Sequence, residues 1–263
     1  MDLAEIGRRG VVLLGCGRMG SALLAGWLDR GLPPGAVTVI EPAPSEWLRG
    51  TGVAIGGALP ASAALALVAV KPQMMGEALP ALRDLSGALL VSIAAGTTLA
   101  AFEAAFPGAR VVRAMPNTPA AIGRGITAIV GNAAATEADL GVAEAMLAAV
   151  GEVVRLDDEA QIDAVTGLSG SGPAYVFHMI EAMAAAGAAQ GLDAGLALRL
   201  ARVTVAGAGA LAMTGEDPAV LRRDVTSPGG TTQAGLEVLM AELPDLMART
   251  VAAATDRSRA LRG

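Results

Sequence analysis

The stretch Arg8–Trp27, RRGVVLLGCGRMGSALLAGW, admits two readings that lead to different proteins. Arg8 and Arg9, the apolar run Val11–Leu14 and then Gly15–Cys16 have the order of an export signal ending at a lipidated cysteine. The same residues also form a short strand, the glycine turn Gly15-x-Gly17-x-x-Gly20 and a helix, which is the order of a dinucleotide fingerprint. Length separates them. An export signal needs an apolar region of roughly 7–15 residues, and only Val11 to Leu14 stand between Gly10 and Gly15. So short a run suits a strand buried on both faces. Ser21, Leu23, Leu24, Trp27 and Leu28 then recur at helical spacing until Gly31 and Pro33 stop the helix.

Composition narrows the class. The chain has 263 residues, enough for one large domain or two ordinary ones. Hydrophobic residues make up 53% of it but aromatics only 2%, so helices are expected to pack closely through Ala, Gly and aliphatic side chains. The mean hydropathy of +0.54 raises the question of a membrane. ASAALALVAV (61–70) and VTVAGAGALAM (203–213) are too short or too glycine-rich for the roughly 18–20 apolar residues of a span, so a soluble chain without a membrane partner is expected. The formal charge is −6, without a lysine- or arginine-rich run. That argues against nucleic acid, whose binding is driven by phosphate neutralisation. Cys16 and His178 are the single residues of their types, which excludes an intrachain disulfide and speaks against any Cys- or His-cluster metal site. The expectation is a reducing cytoplasm and no metal.

Along the first half, strand-like runs (11–14, 37–40, 65–70, 89–93, 110–113, 126–130 and 152–156, with a weaker one at 53–55) alternate with helical patterns. The clearest helix covers 136–150 behind the cap Thr136-x-x-Asp139. After Asp157 the strands stop, and 174–191, 194–213, 231–241 and 243–261 read as helices. The expected fold is α/β: a Rossmann-type, doubly wound, mostly parallel sheet (1–158) followed by an all-helical domain (159–263).

Candidate chemistry clusters at turns. Gly15, Gly17 and Gly20 would let backbone N–H groups approach a pyrophosphate at a helix N-terminus, although a tight turn without ligand has the same glycines. Glu41, after the second strand, could bind the two ribose hydroxyls of NAD, whereas Arg18 could pair with the 2′-phosphate of NADP; Glu41 could equally be a solvated loop residue. Lys71, Ala94, Ala95 and Gly96 follow buried strands, where open α/β sheets line their crevice. Arg113–Pro119 forms a proline-stiffened loop presenting Asn117. Two glycine-rich loops, Gly167–Tyr175 and Thr226–Thr232, each precede a helix, and the second offers consecutive amides for a small carboxylate. His178, among Val176, Phe177, Met179 and Ile180, reads as a packed core histidine rather than an acid–base.

These residues resemble one family, pyrroline-5-carboxylate reductase. The resemblance rests on GCGRMG (15–20), AVKP (69–72), AAG (94–96), MPNTP (115–119) and above all DAVTGLSGSGPAY (163–175) and DVTSPGGTTQAGL (224–236). It implies reduction of 1-pyrroline-5-carboxylate to L-proline with NADPH, or NADH as the alternative. It also implies an intertwined homodimer, or a larger assembly of such dimers, with the active site between one subunit's nucleotide domain and the helical domains. Carried over by position, Gly15, Cys16, Gly17, Arg18, Met19, Gly20, Ala69, Val70, Lys71, Pro72, Ala94, Ala95, Pro116 and Asn117, with Glu41, would bind coenzyme. Ser227, Gly229, Gly230 and Thr231 would hold the substrate carboxylate, and Thr232 would donate to the ring nitrogen. The family usually prefers NADPH, which Glu41 does not suit, and no asparagine lies between Gly52 and Ser62, where some members use one near the 2′-phosphate.

Two other readings fit parts of the pattern. A different two-domain reductase, acting on hydroxy acids or other cyclic imines, would share the first domain. Such enzymes place a lysine or aspartate in the helical domain, and no lysine follows Lys71. A nucleotide sensor without catalysis would need no carboxylate loop.

Overall fold

The computed structural model describes residues 3–85 and 87–261; the expected outer domain limits, 1 and 263, lie outside them. In chain order the elements are α1 (Leu3–Arg9), β1 (Val11–Leu14), α2 (Arg18–Asp29), β2 (Val37–Ile40), α3 (Glu46–Gly50), β3 (Ala54–Ile55), β4 (Leu65–Val68), α4 (Met75–Ala78), β5 (Leu89–Ser92), α5 (Leu99–Ala105), β6 (Val111–Met115), β7 (Gly125–Gly131), α6 (Glu137–Leu147), β8 (Gly151–Arg155), α7 (Gln161–Val165), α8 (Gly172–Ala189), α9 (Ala194–Ala212), α10 (Pro218–Asp224) and α11 (Thr231–Ala260).

The strands form one sheet in the order β3-β2-β1-β4-β5-β6-β7-β8. All neighbours are parallel except β6 and β7, which pair antiparallel through Ala114 opposite Ile129. The first six strands therefore have the doubly wound order 3-2-1-4-5-6, with its reversal between β1 and β4. Strand alternation divides the core between two faces. Val11 and Leu13 pack with Leu23, Leu24 and Trp27 of α2 on one; Val12 and Leu14 pack with Leu90 and Phe102 on the other. Trp27 buries its indole and donates from Nε1 to the Met146 carbonyl at 2.8 Å. Such close approach of α2 requires Gly26, since a Cβ there would lie 2.7 Å from the Ala149 oxygen.

The cap read at Thr136 is present as a reciprocal box: the Asp139 amide donates to Thr136 Oγ1 at 3.2 Å and the Thr136 amide donates to Asp139 Oδ2 at 2.9 Å. Three local readings need correction. The segments 231–241 and 243–261 are one helix, α11, with Pro244 inside it. Proline removes a single donor and disfavours the helix by about 3 kcal/mol, which the Leu-, Met- and Ala-rich turns on both sides outweigh. The segment Gly167–Tyr175, expected as a loop, is mostly helical: Gly167–Gly170 belong to a π-helical turn, Thr166–Gly170, that continues α7, and Gly172–Tyr175 begin α8. His178 is 83% exposed in the single chain and meets Glu181 Oε2 through Nδ1 at 3.0 Å, so it is not packed in a core.

Internal contacts separate two compact units, Met1–Gly170 with Ala254–Gly263, and Ser171–Ala253. The first includes α7, where Ile162 and Asp163 are fully buried and Asp163 Oδ1 accepts from Ser258 Oγ at 2.8 Å. In the second, α8 and α9 form a close helical pair: a Cβ on Gly187 would touch both Ala197 and Leu192 at 3.4 Å. The 19-residue α9 is long and apolar enough, by length and composition, to cross a membrane, unlike the shorter stretch read from sequence.

Candidate active site

The turn after β1 sits where the strand order reverses, which is where open α/β sheets hold their ligands. Its three glycines have different physical reasons. Gly15 adopts φ +89°, and a Cβ there would lie 2.8 Å from Val70 Cγ1 and 3.0 Å from the Ala69 oxygen. At Gly20 a Cβ would lie 2.5 Å from the Gly15 oxygen. The chain's own packing therefore requires both. Around Gly17 a Cβ would meet nothing within 4 Å. Gly17 is the N-cap of α2 and provides no side-chain cap, so no capping side chain takes up the first-turn amides of α2. That combination fits a pyrophosphate: two glycines shape the turn and the third keeps its approach clear.

A cavity of about 510 Å³ opens beside the turn, lined by Gly15, Gly17, Glu41, Ala69, Val70 and Lys71 among others. Pro42, Gly56, Met74 and Glu77 also line it and were not singled out from sequence. Pro42 and Gly56 lie just beyond the carboxyl ends of β2 and β3, and Met74 and Glu77 on the helical turns that follow β4. Glu41 is anchored: Oε2 accepts from the Cys16 amide at 2.8 Å and Oε1 from the Ala43 amide at 3.1 Å. Burial, and then the nearby Glu41 charge, push the Cys16 thiol up to about 11, so it is protonated at neutral pH and no nucleophile. Arg18, Met19 and Pro72 begin the helical turns that follow.

Ala94, Ala95, Pro116 and Asn117 follow β5 and β6 at the same sheet edge but do not line this cavity. Ala94 and Pro116 are buried. Asn117 holds its loop together, accepting at Oδ1 from the Ile126 amide at 3.0 Å and donating from Nδ2 to Ser169 Oγ at 3.3 Å. Another cavity, of about 590 Å³, lies among Leu85, Leu90, Phe106 and Arg110 at the amino-terminal ends of β5 and β6. It is at the opposite edge from the glycine turn, where this fold does not place its nucleotide.

In the helical unit, Thr226–Thr232 connects α10 to α11. Gly229 turns the chain at φ +71°. Two of the three expected amide donors to the carboxylate already have partners within the loop. The Gly229 amide donates to Gln233 Oε1 at 2.7 Å, and the Gly230 amide to the Ser227 carbonyl at 3.1 Å. The amides of Thr231, Thr232 and Gln233 form the first turn of a 30-residue helix and have no intrahelical acceptor. Thr231 and Thr232 are exposed, as is Ser227. Gln233 is thus a loop-shaping residue that sequence reading passed over.

Known proteins place this arrangement. Residues 159–261 match the family model for pyrroline-5-carboxylate reductase dimerisation, and residues 10–96 match that for NADP oxidoreductase, coenzyme F420-dependent. The pyrroline-5-carboxylate reductase of Pseudomonas aeruginosa is 39% identical over 95% of this chain and 96% of its own length. The chain belongs to the pyrroline-5-carboxylate reductase family. Among solved structures, the Coxiella burnetii pyrroline-5-carboxylate reductase superimposes with a TM-score of 0.91 at 32% identity, covering 97% of this chain and 99% of the other. The Plasmodium falciparum pyrroline carboxylate reductase with NADP bound gives 0.84 at 27% identity, covering 98% and 99%.

Within this pyrroline-5-carboxylate reductase framework, both glycine-rich segments acquire distinct structural characters. The 163–175 segment forms the π turn, braced where Gly170 approaches Met115 so closely that a Cβ would lie 2.8 Å from its methyl group. The 224–236 segment instead ends in an open helix start. Among the described residues, no group of three or more His, Cys, Asp or Glu could hold a metal ion.

Proposed function

We propose that this chain reduces 1-pyrroline-5-carboxylate to L-proline with a reduced nicotinamide coenzyme. Membership of the family over nearly the whole chain carries the reading, and the glycine turn with clear space at Gly17 supports it. Bound there, the coenzyme supplies a hydride to C5 of the imine. The protein's part is to place and polarise. The first-turn amides of α2 hold the pyrophosphate, Glu41 takes the ribose, and Lys71 adds positive charge at the cavity wall. Ala94, Ala95, Pro116 and Asn117 form the neighbouring crevice edge.

The substrate carboxylate is assigned to Thr226–Thr232: the Ser227 hydroxyl with the amides of Gly229, Gly230 and Thr231. Freeing Gly229 requires Gln233 Oε1 to release it. As C5 gains the hydride, the ring nitrogen becomes an amine and takes a proton. Thr232 is assigned to donate a hydrogen bond to that nitrogen and relay the proton from water, because a threonine hydroxyl is too weak an acid to be its source. Holding both reactants in register supplies much of the barrier reduction.

We assign the helical domain, 159–263, to a homodimer interface. Phe177, Leu196, Leu200, Val203 and Leu211 are all 47–65% exposed, more apolar surface than a stable lone unit presents. The proposed setting is the cytoplasm.

Coenzyme oxidation should be observed only when pyrroline-5-carboxylate is supplied. Thr232→Val should lower kcat much more than it weakens coenzyme binding, and unaltered turnover in that variant removes Thr232 from the mechanism. Reduction of hydroxy-acid or other cyclic-imine partners in place of pyrroline-5-carboxylate would transfer the chain to a different two-domain reductase.

A further inference from the structure

We infer that Glu41 makes this chain select NADH over NADPH; the inference rests on the coenzyme site proposed above and deepens it. Glu41 follows β2, at the edge of the cavity that the glycine turn also lines. Its orientation is set by the Cys16 and Ala43 amides at 2.8 and 3.1 Å, one on each carboxylate oxygen. An ionised carboxylate has about four lone-pair positions. Each oxygen therefore retains one, and two adjacent hydroxyls can donate to them. That is the pattern of an unmodified adenine ribose, whose 2′- and 3′-hydroxyls are both donors.

A 2′-phosphate reverses the match. It carries close to two negative charges and presents acceptors only, so its oxygens would face acceptor oxygens. Among the described residues, the cavity lining adds no net positive charge to offset it. The charged side chains lining the cavity, among the described residues, are Glu41, Glu77 and Lys71, two negative and one positive. The loop after Glu41 reads Pro-Ala-Pro-Ser, without a cation before Arg49. The Ser45 oxygen already accepts from the Leu48 amide at 3.2 Å as the cap of α3. Gly56 and Gly57, after β3, contribute no side-chain donor. Arg18 is the cation of the glycine turn; it sits at the start of α2 and does not line the cavity.

The test is calorimetric titration of the purified chain with NADH and with NADPH, needing no substrate or turnover. NADH should bind at least tenfold more tightly. Because the pyrophosphate is common to both, the ratio isolates the 2′ position. Raising the salt from 50 to 500 mM should narrow the ratio, since screening weakens a repulsion. Glu41→Gln should raise NADPH affinity at least tenfold and shrink or reverse the preference. Arg18→Gln should weaken both coenzymes by similar factors. Equal or tighter NADPH binding by the unaltered chain overturns the inference, as does a ratio indifferent to Glu41→Gln. Binding of neither coenzyme overturns the coenzyme site together with the inference. NADH binding without turnover of pyrroline-5-carboxylate would remove the reductase reading alone and leave the selectivity standing.

Discussion

The nucleotide-binding unit and the helical unit solve the burial problem differently. In the first, both faces of the sheet are covered within the chain: Val11 to Leu13 of β1 and Leu65 to Val68 of β4 are completely buried. In the second, the buried apolar residues among those described are Ala197 and Ala201, while Val203, Leu211 and Val238 stand more than half exposed. The sheet unit closes on itself and has a recognition turn at its carboxyl edge. The helical unit, within the region that matches the dimerisation model, leaves its larger apolar side chains outward. Gly15, Gly20 and Gly26 are required by contacts inside the chain, whereas at Gly207, Gly209 and Gly235 a Cβ would meet open space.

Substitutions can break or sharpen this contrast. Trp27→Ala, within the closed unit, should lower unfolding free energy by about 3–5 kcal/mol, read by urea denaturation. Its Nε1 bond to Met146 is lost with the ring. Arg113→Ala is expected to cost a similar amount, about 3–5 kcal/mol. Arg113 is 2% exposed and pairs with Glu159 at 2.5 Å, and Glu159 also accepts from the Leu99 amide at 2.9 Å. Removing the cation would leave that carboxylate without its charged partner.

Leu200→Asp, on α9, should barely alter the fold of one chain. It should weaken self-association by about 2 kcal/mol or more, roughly thirtyfold, the range of interface hot spots; sedimentation velocity across a dilution series measures it. Unchanged association would mean that α9 faces no partner. The matching control is Ile122→Asp in the sheet unit. Ile122 is 75% exposed, and the change should remain within about 0.5 kcal/mol for stability with no effect on assembly.

The smallest expected effect concerns Cys16. With its thiol pushed up to about 11 by burial and Glu41, alkylation at pH 8 should be far slower than for a free cysteine. The raised value also sets a sign. Through the pH range from about 9 to 11 the folded chain retains a proton that the unfolded chain loses, so this group's contribution to stability declines as pH rises. Rapid alkylation of the folded chain at pH 8 would show the turn to be more open than described.

Much of this architecture was legible because its signals are local. Short strand-like runs, the weaker one at 53–55 included, marked the eight strands within two residues at each end, and Thr136-x-x-Asp139 marked a real cap. The Asp217–Pro218 pair was an equally good start signal for α10, with the Asp217 side chain accepting from the Ala219 amide at 2.6 Å, but no reading used it. Other features had no local sign. Pro244 suggested a break that the surrounding turns override. His178 stood among apolar residues of which Val176, Phe177 and Met179 proved to be exposed as well, because an apolar helix face looks the same whether its cover comes from within the chain or from a partner. Asn117 has its Oδ1 taken by the Ile126 amide and donates from Nδ2 to Ser169 Oγ, partners that nothing near it in the sequence announces.

From the sequence alone came the succession of strands and the helical second half, the glycine turn, the motifs that carry the family resemblance and the absence of lysine beyond Lys71. These depend on periodicity, backbone freedom and residue type, which neighbours along the chain suffice to reveal. Only the tertiary structure decided which glycine leaves room for a ligand, which way Glu41 points and which amides of Thr226–Thr232 already have partners. Each of those depends on atoms that meet through space, several of them far apart in the chain. A carboxylate's remaining lone pairs can be counted only once its first partners are known.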